Sequence, residues 1–275
     1  MSYSFDKLIT SDKAVAQYEK RLSICLTSNG FSFSVTDILD ELLSLGTVQC
    51  KTDAPMPQLL ADIKGALAEA GIQSYGLKEA ELVVVSRQFV WIPQHLYDAT
   101  KERTYLDTLC KVKQGYGVFS DHNDLIKANI VFSADNNIVS AFRIAVPGIR
   151  IRCQHSKMVN ATLLEQSDQR SLMLINLRDG ESDFAIFGNK KLEISNTYDC
   201  VNFDETMYYA LNLTRQFHLE DARLLVAVCG EADRERFAIL RNYFPSLALY
   251  TGRPLTLPVA EMQHIHTYRH ALILS

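Results

Sequence analysis

The sequence predicts an α/β protein in which one unit, a mixed sheet flanked by helices, occurs twice. Two hairpin signals carry this prediction. Asn29-Gly30 and Asp179-Gly180 each lie between two apolar runs, and they are 150 residues apart. Such dipeptides favour a type I′ turn, in which both central residues have positive φ. In addition, each hairpin is followed by a short strand, a helix with one apolar face and a continuous apolar strand.

The first copy is predicted to contain a hairpin, a third strand, a helix and a buried strand, at residues 22–35, 47–51, 59–71 and 81–86. Alternating apolar and polar residues indicate the hairpin strands. Apolar residues recur every three or four positions along the helix, which Gly71 is suited to end. The apolar run ELVVVS fits a strand covered on both faces. Residues 1–20 are predicted to be an irregular leader.

The second copy repeats this order, with the hairpin, third strand, helix and buried strand at residues 172–187, 190–195, 204–217 and 224–229. Asp204 is the predicted N-cap of its helix, because a carboxylate there accepts from free backbone N–H groups. A helix, a strand and a last helix are predicted to follow, at residues 234–243, 247–250 and near 259–266.

Residues 87–157 do not repeat, and we interpret them as the closing part of the first unit, enlarged by an insertion. A helix is predicted around residues 95–109, and a strand in IRIRCQH (149–155). Two strands, IKANIVFS and IVSAFRIAV, are predicted on either side of a turn at Asn136-Asn137. The predicted lobes are residues 1–157 and 158–275, related by an internal duplication.

Composition limits the function classes. A chain of 275 residues accommodates two lobes, and a net charge of −4 does not favour nucleic acid or an anionic membrane as partner. Six scattered cysteines without a CxxC pair predict reduced thiols and no zinc site. The N-terminal residues lack the apolar core of a signal peptide, and no run approaches the roughly 18 apolar residues of a membrane span. A cytoplasmic protein without membrane insertion is therefore expected.

The predicted element order is that of a ribonuclease H-like unit, and two such units in tandem resemble the actin-like ATPase fold. The stretch MLINLRDGESDFAIFGNKKLEIS is similar to the second phosphate segment of the pilus-assembly and type II secretion members. In those proteins a strand ends in Asp-x-Gly and a polar hairpin follows. The chain also resembles an uncharacterised bacterial family of this fold. The resemblance implies two ribonuclease H-like subdomains, each with a mixed five-stranded sheet flanked by helices.

The resemblance also implies a nucleotide cleft between the two hairpins. In this fold the hairpin turns present backbone N–H groups to the phosphates, and glycine permits their close approach. A strand-end Asp acts through Mg²⁺, and a Gly-Gly turn lies against the adenosine. The candidate cleft residues in this sequence are Thr27, Ser28, Asn29, Asn176, Arg178, Asp179, Ser182 and Gly230.

Carried over residue by residue, the phosphate motifs are incomplete. The two strand-end Asp positions fall on Cys25 and Asn176, and the Gly-Gly turn falls on Gly230-Glu231. A thiol and a neutral amide are poor replacements for carboxylate ligands of Mg²⁺. Arg178 adds a side chain where phosphate would need open backbone, although its guanidinium can itself contact a phosphate.

These substitutions predict a non-catalytic scaffold or regulatory protein with protein partners, without catalytic residues, metal or cofactor. The alternative is a nucleotide-binding ATPase or small-molecule kinase that uses ATP and Mg²⁺ through relocated ligands such as Asp179, Asp183 and Glu231. A nuclease is disfavoured, because its two metals need an acid on the first strand of the unit. His266 and His270 have the i,i+4 spacing of a helical metal pair, but no Glu lies between them, and chance is the preferred explanation.

Overall fold

The computed structural model describes residues 2–11, 19–72, 76–165, 171–188, 191–219, 224–257 and 266–275. The described strands are β1 (Tyr3–Thr10), β2 (Lys20–Thr27), β3 (Gly30–Asp37), β4 (Leu42–Cys50), β5 (Leu77–Val84), β6 (Phe89–Pro93), β7 (Tyr116–Asn123), β8 (Ala128–Asp135), β9 (Arg150–Cys153), β10 (Ser171–Arg178), β11 (Glu181–Gly188), β12 (Lys191–Asp199), β13 (Leu224–Gly230) and β14 (Leu247–Leu249). The described helices are α1 (Met56–Glu69), α2 (Glu102–Asp107), α3 (Asn136–Ala145), α4 (Gln154–Glu165), α5 (Phe203–Gln216) and α6 (Arg234–Tyr243).

Two sheets with the same internal order form the framework. The first sheet has the order β1-β4-β3-β2-β5-β9, and the second has the order β12-β11-β10-β13-β14. In both, a hairpin pairs antiparallel with a third strand and parallel with a later one. β9 in the first sheet corresponds to β14 in the second, since each adds in parallel at the far edge. The predicted mixed α/β class is confirmed.

The first sheet has a sixth strand that the sequence did not reveal. Residues 3–10, predicted to be part of an irregular leader, form β1 and pair antiparallel with β4. Tyr3, Phe5 and Leu8 pack against the main core of this sheet. β1 is an edge strand, so most of its residues remain partly exposed and their mixed polarity hides the alternation.

A second correction concerns residues 136–145, which form helix α3 rather than a strand. The Asp135 carboxylate caps this helix by accepting from the backbone N–H groups of Asn137 and Ile138. Val139 and Phe142, three positions apart, are both buried. The asparagine pair therefore begins a helix and is not a turn between strands.

Smaller departures concern helix ends and turns. Asn202, not Asp204, caps α5, with its side chain accepting from the N–H of Glu205. The predicted hairpins are present, but among the described residues positive φ outside glycine occurs only at Asp40, Lys127 and His218. The central residue before glycine therefore has negative φ in both hairpin turns, and neither turn is type I′. The helix predicted near residues 259–266 lies outside the described residues apart from its last position.

The insertion forms a separate layer. Strands β6, β8 and β7 make a three-stranded antiparallel sheet, and α2 packs against it through the buried side chain of Leu106. Two single turns of 3-10 helix, Gln94–Leu96 and Ala99–Lys101, precede α2, so the predicted helix over residues 95–109 is fragmented. Phe132 and Ile130 on β8 join this layer to the core of the first sheet.

Two segments hold the two large sheets together. Helix α4 contacts β9 of the first sheet and β10, β11 and β12 of the second, so the predicted boundary between residues 157 and 158 falls inside this helix. The C-terminal segment (residues 266–275) runs between the sheets. Its Leu272 packs with Met158 of α4, and its Leu274 packs with Leu42 of β4. In the part of the chain that the structure describes, no helix has the length and apolar character of a membrane span.

Candidate functional site

A cleft of about 600 Å³ opens between the ends of the β2–β3 and β10–β11 hairpins, and we refer to it as the cleft. The C-terminal segment contributes residues 269–273 to its lining. Six of the eight candidate residues from the sequence line this cleft. They are Thr27, Ser28, Asn176, Arg178, Asp179 and Gly230.

The other two candidates do not line the cleft. The carbonyl oxygen of Asn29 accepts a hydrogen bond from the backbone N–H of Cys50 at 3.0 Å, and this ties the first turn to β4. Ser182 is buried, and its hydroxyl lies 2.8 Å from that of Thr206 on α5. Because side chains alternate along β11, Ser182 points to the face of the second sheet that α5 covers.

The first hairpin brings a thiol to the cleft at the predicted metal-directing position. Cys25 lies on β2 in register with Ser32 of β3, and both residues line the cleft. Burial raises the pKa of the Cys25 thiol to about 12, an effect that the positive charge of Arg178 opposes only in part. The group is therefore a neutral thiol at physiological pH and offers no hard anionic oxygen.

In the second hairpin, the corresponding position is occupied by a side chain whose polar atoms are engaged within its own sheet. Asn176 donates from Nδ2 to the Asp183 carboxylate at 2.9 Å. Its amide oxygen lies 3.5 Å from the Cys229 sulfur, which donates to it. With both ends of the amide engaged and the residue buried, Asn176 contributes mainly to the link between β10, β11 and β13.

Arg178 and Asp183 form a bidentate ion pair next to the cleft. Nε and Nη2 of Arg178 donate to the two carboxylate oxygens of Asp183, each at 2.8 Å. Nη1 of Arg178 lies 2.5 Å from a carboxylate oxygen of Glu181. All three guanidinium nitrogens are thus directed at carboxylates, and Asp183 itself is fully buried. Such two-pronged pairs are among the stronger hydrogen-bonded contacts in proteins.

The charges of this pair stabilise each other. Burial alone would raise the pKa of Asp183, but hydrogen bonds from Arg178 and the arginine charge outweigh it, so this pKa lies below its usual value. Burial alone would lower the pKa of Arg178. The hydrogen bonds and charges of Asp183 and Glu181 outweigh this effect, so the pKa lies above its usual value. The buried acid is therefore ionised and already neutralised by the guanidinium.

A buried histidine extends this network to helix α4. Thr197 on β12 donates its hydroxyl to Asp183 at 2.6 Å, so it accepts from Nε2 of His155 at 2.9 Å. Nδ1 of His155 then accepts from the Ser195 hydroxyl at 2.8 Å, and the imidazole ring lies 4.1 Å from the Phe89 ring, centre to centre. Burial lowers the pKa of His155 to about 4, and the nearby Asp183 charge opposes this shift. The imidazole is neutral at physiological pH.

The sequence did not reveal His155 and Thr197 as parts of this site. The two residues are on α4 and β12, and the hairpin motifs identify neither element. The sequence offers no local signal for Thr197, because this residue lies in a polar run with Ser195 and Asn196.

Gly230 has a structural reason to be glycine that does not involve a nucleotide. Its φ is +78°, and a Cβ atom there would lie 2.2 Å from the carbonyl oxygen of Leu177. The same carbonyl accepts from the N–H of Glu231 at 2.8 Å. The close approach of β13 to the end of β10 therefore requires glycine at this position.

The remaining carboxylates are distributed unevenly. Asp179, Glu181 and Glu231 line the cleft, while Asp183 lies behind it in the arginine pair. Among the described residues, no three His, Cys, Asp or Glu side chains are grouped closely enough to hold a metal ion. His266 and His270 are not neighbours on an α-helix, because Thr267–His270 is a single turn of 3-10 helix. Burial lowers the pKa of His270 to about 4.

The comparisons with known proteins agree with this geometry. The profile of one family, described as protein of unknown function (DUF3822), matches residues 11–247. The chain belongs to this family. No curated protein matches the chain in sequence.

Solved structures show the fold. The chain is similar to a protein of unknown function with an actin-like ATPase fold from Bacteroides thetaiotaomicron VPI-5482, at 18% identity and a TM-score of 0.71, over 87% of this chain and 93% of that one. It is also similar to a structure of the PilM-PilN type IV pilus biogenesis complex, at 11% identity and a TM-score of 0.55, over 92% and 96% of the two chains. The DUF3822 protein thus has the actin-like ATPase fold, and the expected likeness to pilus-assembly members is confirmed.

Proposed function

We propose that this DUF3822 protein is a non-catalytic scaffold or regulatory protein, in which the cleft of the actin-like fold has lost metal-assisted phosphoryl transfer. The observation that carries the proposal is the state of the second hairpin. Where the fold places a free strand-end carboxylate, Asn176 is engaged within the sheet, and the nearest buried acid is bound by Arg178.

Phosphoryl transfer depends on positioning and on neutralising the charge of the phosphates, and in this fold Mg²⁺ performs much of that task. Mg²⁺ prefers carboxylate oxygens and holds them in strict octahedral geometry. The two strand-end positions offer a neutral thiol at Cys25 and an engaged amide at Asn176. These side chains do not fit the metal–nucleotide complex that the fold usually binds.

The buried pair makes recovery of a metal site costly. If Asp183 bound a cation, its two charge-assisted hydrogen bonds from Arg178 would break, and the guanidinium would lose its main partner. A charged group at this depth without a partner is unfavourable by several kcal/mol, on the order of the effect of breaking a buried ion pair. The pair thus favours a fixed cleft over one that exchanges ligands.

The connection between the two sheets supports a role in assembly. Arg87, after β5, pairs with Glu181 at 3.0 Å and with Asp199 on the other sheet. Lys157 on α4 donates to Glu81 at 2.7 Å and to the carbonyl oxygen of Ser275 at 2.6 Å. A body with its lobes linked in this way is suited to present fixed surfaces to a protein partner. The structurally similar PilM occurs in a complex with PilN, which supports this reading by analogy of fold.

The proposal is tested by thermal unfolding of the intact protein with ATP and Mg²⁺, each at millimolar concentration. A ligand at 100 times its Kd stabilises the folded state by about 2.7 kcal/mol, which is a readily visible shift. We expect no Mg²⁺-dependent shift relative to ATP with EDTA, and no release of inorganic phosphate. A Mg²⁺-dependent shift together with phosphate release would refute the proposal.

The competing function has one observation in its favour, since Asp179 and Glu231 both line the cleft. If these two carboxylates held a relocated metal, the variants Asp179→Asn and Glu231→Gln would each abolish a Mg²⁺-dependent shift seen in the wild-type protein. The partner role is tested separately. A candidate protein purified from the native host must form a stoichiometric complex with the purified chain in size-exclusion chromatography, and this complex must be insensitive to ATP and Mg²⁺.

A further inference from the structure

The C-terminal segment forms a third wall of the cleft, beside the two hairpins. Five consecutive residues of the segment, 269–273, line the cleft. Neighbouring side chains point in different directions, so a consecutive run of lining residues shows that the main chain itself passes along the cleft. The segment is therefore placed to determine what can enter between the hairpins.

Four consecutive buried residues anchor the segment in both large sheets. Ala271 and Leu272 belong to the apolar cluster between α4 and the second sheet. Ile273 and Leu274 belong to a different cluster, which β1 and β4 of the first sheet complete. Each of the four residues is at most 8% exposed. Because the two halves of this short run enter different cores, the seated segment bridges the two sheets.

The segment is not built into the framework by regular hydrogen bonding. Its main chain accepts from the Ser34 hydroxyl, the Lys157 ammonium and the backbone N–H of Arg253. Its regular structure is the single 3-10 turn Thr267–His270, and within the described residues it adds no strand to either sheet. A segment held by apolar contacts and scattered hydrogen bonds opens locally at a lower free energy than a strand paired on both sides.

Gly252 leaves the space through which the segment passes. Its φ is +85°, and a Cβ atom there would lie 2.8 Å from both the Cβ and the carbonyl oxygen of Leu274. A side chain at position 252 is therefore incompatible with the seated segment. Gly115 has the same φ of +85°, but a Cβ atom there would meet nothing within 4 Å. The two glycines thus separate the effect of the clash from that of backbone strain.

The seated segment also covers part of Cys25. This half-buried residue packs against the cluster that contains Ile273 and Leu274. Burial raises the pKa of its thiol to about 12, and because the thiolate is the reactive form, the covered thiol reacts slowly. Cys50 provides an internal reference in the same sheet. It is buried in the main core of the first sheet, outside the cluster that the segment joins.

We propose that the C-terminal segment is an interlobe latch, which closes one side of the cleft when seated and opens the cleft and uncovers Cys25 when released. Because its buried residues are consecutive and enter both cores, release frees both sheets from the segment together. A ligand or protein partner that fits only the open cleft would shift the latch towards its released state. The latch is independent of the proposed scaffold function, since it closes the cleft whether or not a nucleotide binds there.

The test is labelling of the intact protein with iodoacetamide at mildly alkaline pH, with mass spectrometry to measure the rates at Cys25 and Cys50 separately. Gly252→Ala should raise the rate at Cys25 at least about tenfold, because release returns the thiol pKa towards its ordinary value. The rate at Cys50 should stay unchanged, since the main core of the first sheet remains folded. The control Gly115→Ala introduces the same backbone strain without the clash, and it should change neither rate.

A second variant and a measurement on the wild-type protein complete the test should Gly252→Ala fail to fold. Ser34→Ala removes the hydrogen bond to the carbonyl oxygen of Ile273, and it should raise the rate at Cys25 about fivefold, the effect of one hydrogen bond. In the wild-type protein, the amides of Ile273 and Leu274 are hydrogen-bonded within the segment. They should exchange with solvent deuterium faster than the amides of β10, because the latch opens locally.

Three results would each overturn the proposal, whatever the outcome of the ATP experiment. The first is a rate at Cys25 that the folded variants of the latch leave unchanged. The second is a rise that Cys50 shares equally, because it would show global unfolding in place of local release. The third is amide exchange in the segment as slow as that in β10.

Discussion

Arg178→Met is the substitution that most directly probes the second hairpin. It removes the two hydrogen bonds of 2.8 Å to Asp183 and leaves a fully buried carboxylate without its counter-charge. Breaking a buried ion pair on one side costs about 3–5 kcal/mol. The lower end applies here, because Asp183 keeps its hydrogen bonds from Asn176 and Thr197. We therefore expect a loss of about 3 kcal/mol in the free energy of unfolding.

The assay is equilibrium unfolding in urea, carried out on both single variants and the double variant with Asp183→Asn. Since the amide carries no charge to leave unpaired, the double variant should be destabilised by about 2 kcal/mol less than the sum of the single effects. Arg103→Met is the matched control, because its pair with Asp107 is exposed and should contribute less than about 1 kcal/mol. A loss below about 1 kcal/mol for Arg178→Met, or strict additivity with Asp183→Asn, would show that the two side chains do not form a stabilising buried ion pair.

Three further outcomes are expected. His155 has a folded-state pKa of about 4, against an ordinary value of 6.5, so the unfolded chain takes up a proton first as the pH falls. Between pH 7 and pH 5 the free energy of unfolding of the wild type should therefore drop by about 2 kcal/mol more than that of His155→Gln. Urea unfolding at the two pH values measures this difference. Gly180→Ala should lower the free energy of unfolding by about 1–2 kcal/mol, because Gly180 has a positive φ. Gly230→Ala should lower it clearly more, because the new Cβ would also meet a backbone oxygen. Equal urea midpoints for the two variants would contradict this expectation. Arg87→Ala should cost less than about 1 kcal/mol, and a cost that persists in 1 M salt would argue against an exposed ion pair.

The framework could be predicted because its signals are local. The Asn-Gly turn lies between strands that alternate, and the Asp-Gly turn lies between two apolar runs. ELVVVS and LLVAVC are apolar enough to indicate parallel central strands. β1 could not be predicted in the same way, since an edge strand has little need of alternation. Helix α3 was mistaken for a strand because IVSAFRIAV is rich in β-branched and aromatic residues, while its cap, Asp135, lies just outside that run.

The site was predictable only in part, and the limit is physical. The loss of the strand-end acids can be read from Cys25 and Asn176 alone. The hydrogen-bond network around Asp183 includes Thr197 and, through it, His155. These residues lie 14 and 28 positions away in the chain, so no local sequence pattern indicates them.

Water-proton relaxation with Mn²⁺ in place of Mg²⁺ shows whether the cleft holds a metal–nucleotide complex. Mn²⁺ has a similar preference for oxygen ligands, and its relaxation effect rises when it is immobilised on a protein. We expect that adding the protein to Mn²⁺ and ADP leaves the relaxation rate at its protein-free value. An enhancement that Asp179→Asn or Glu231→Gln abolishes would contradict it.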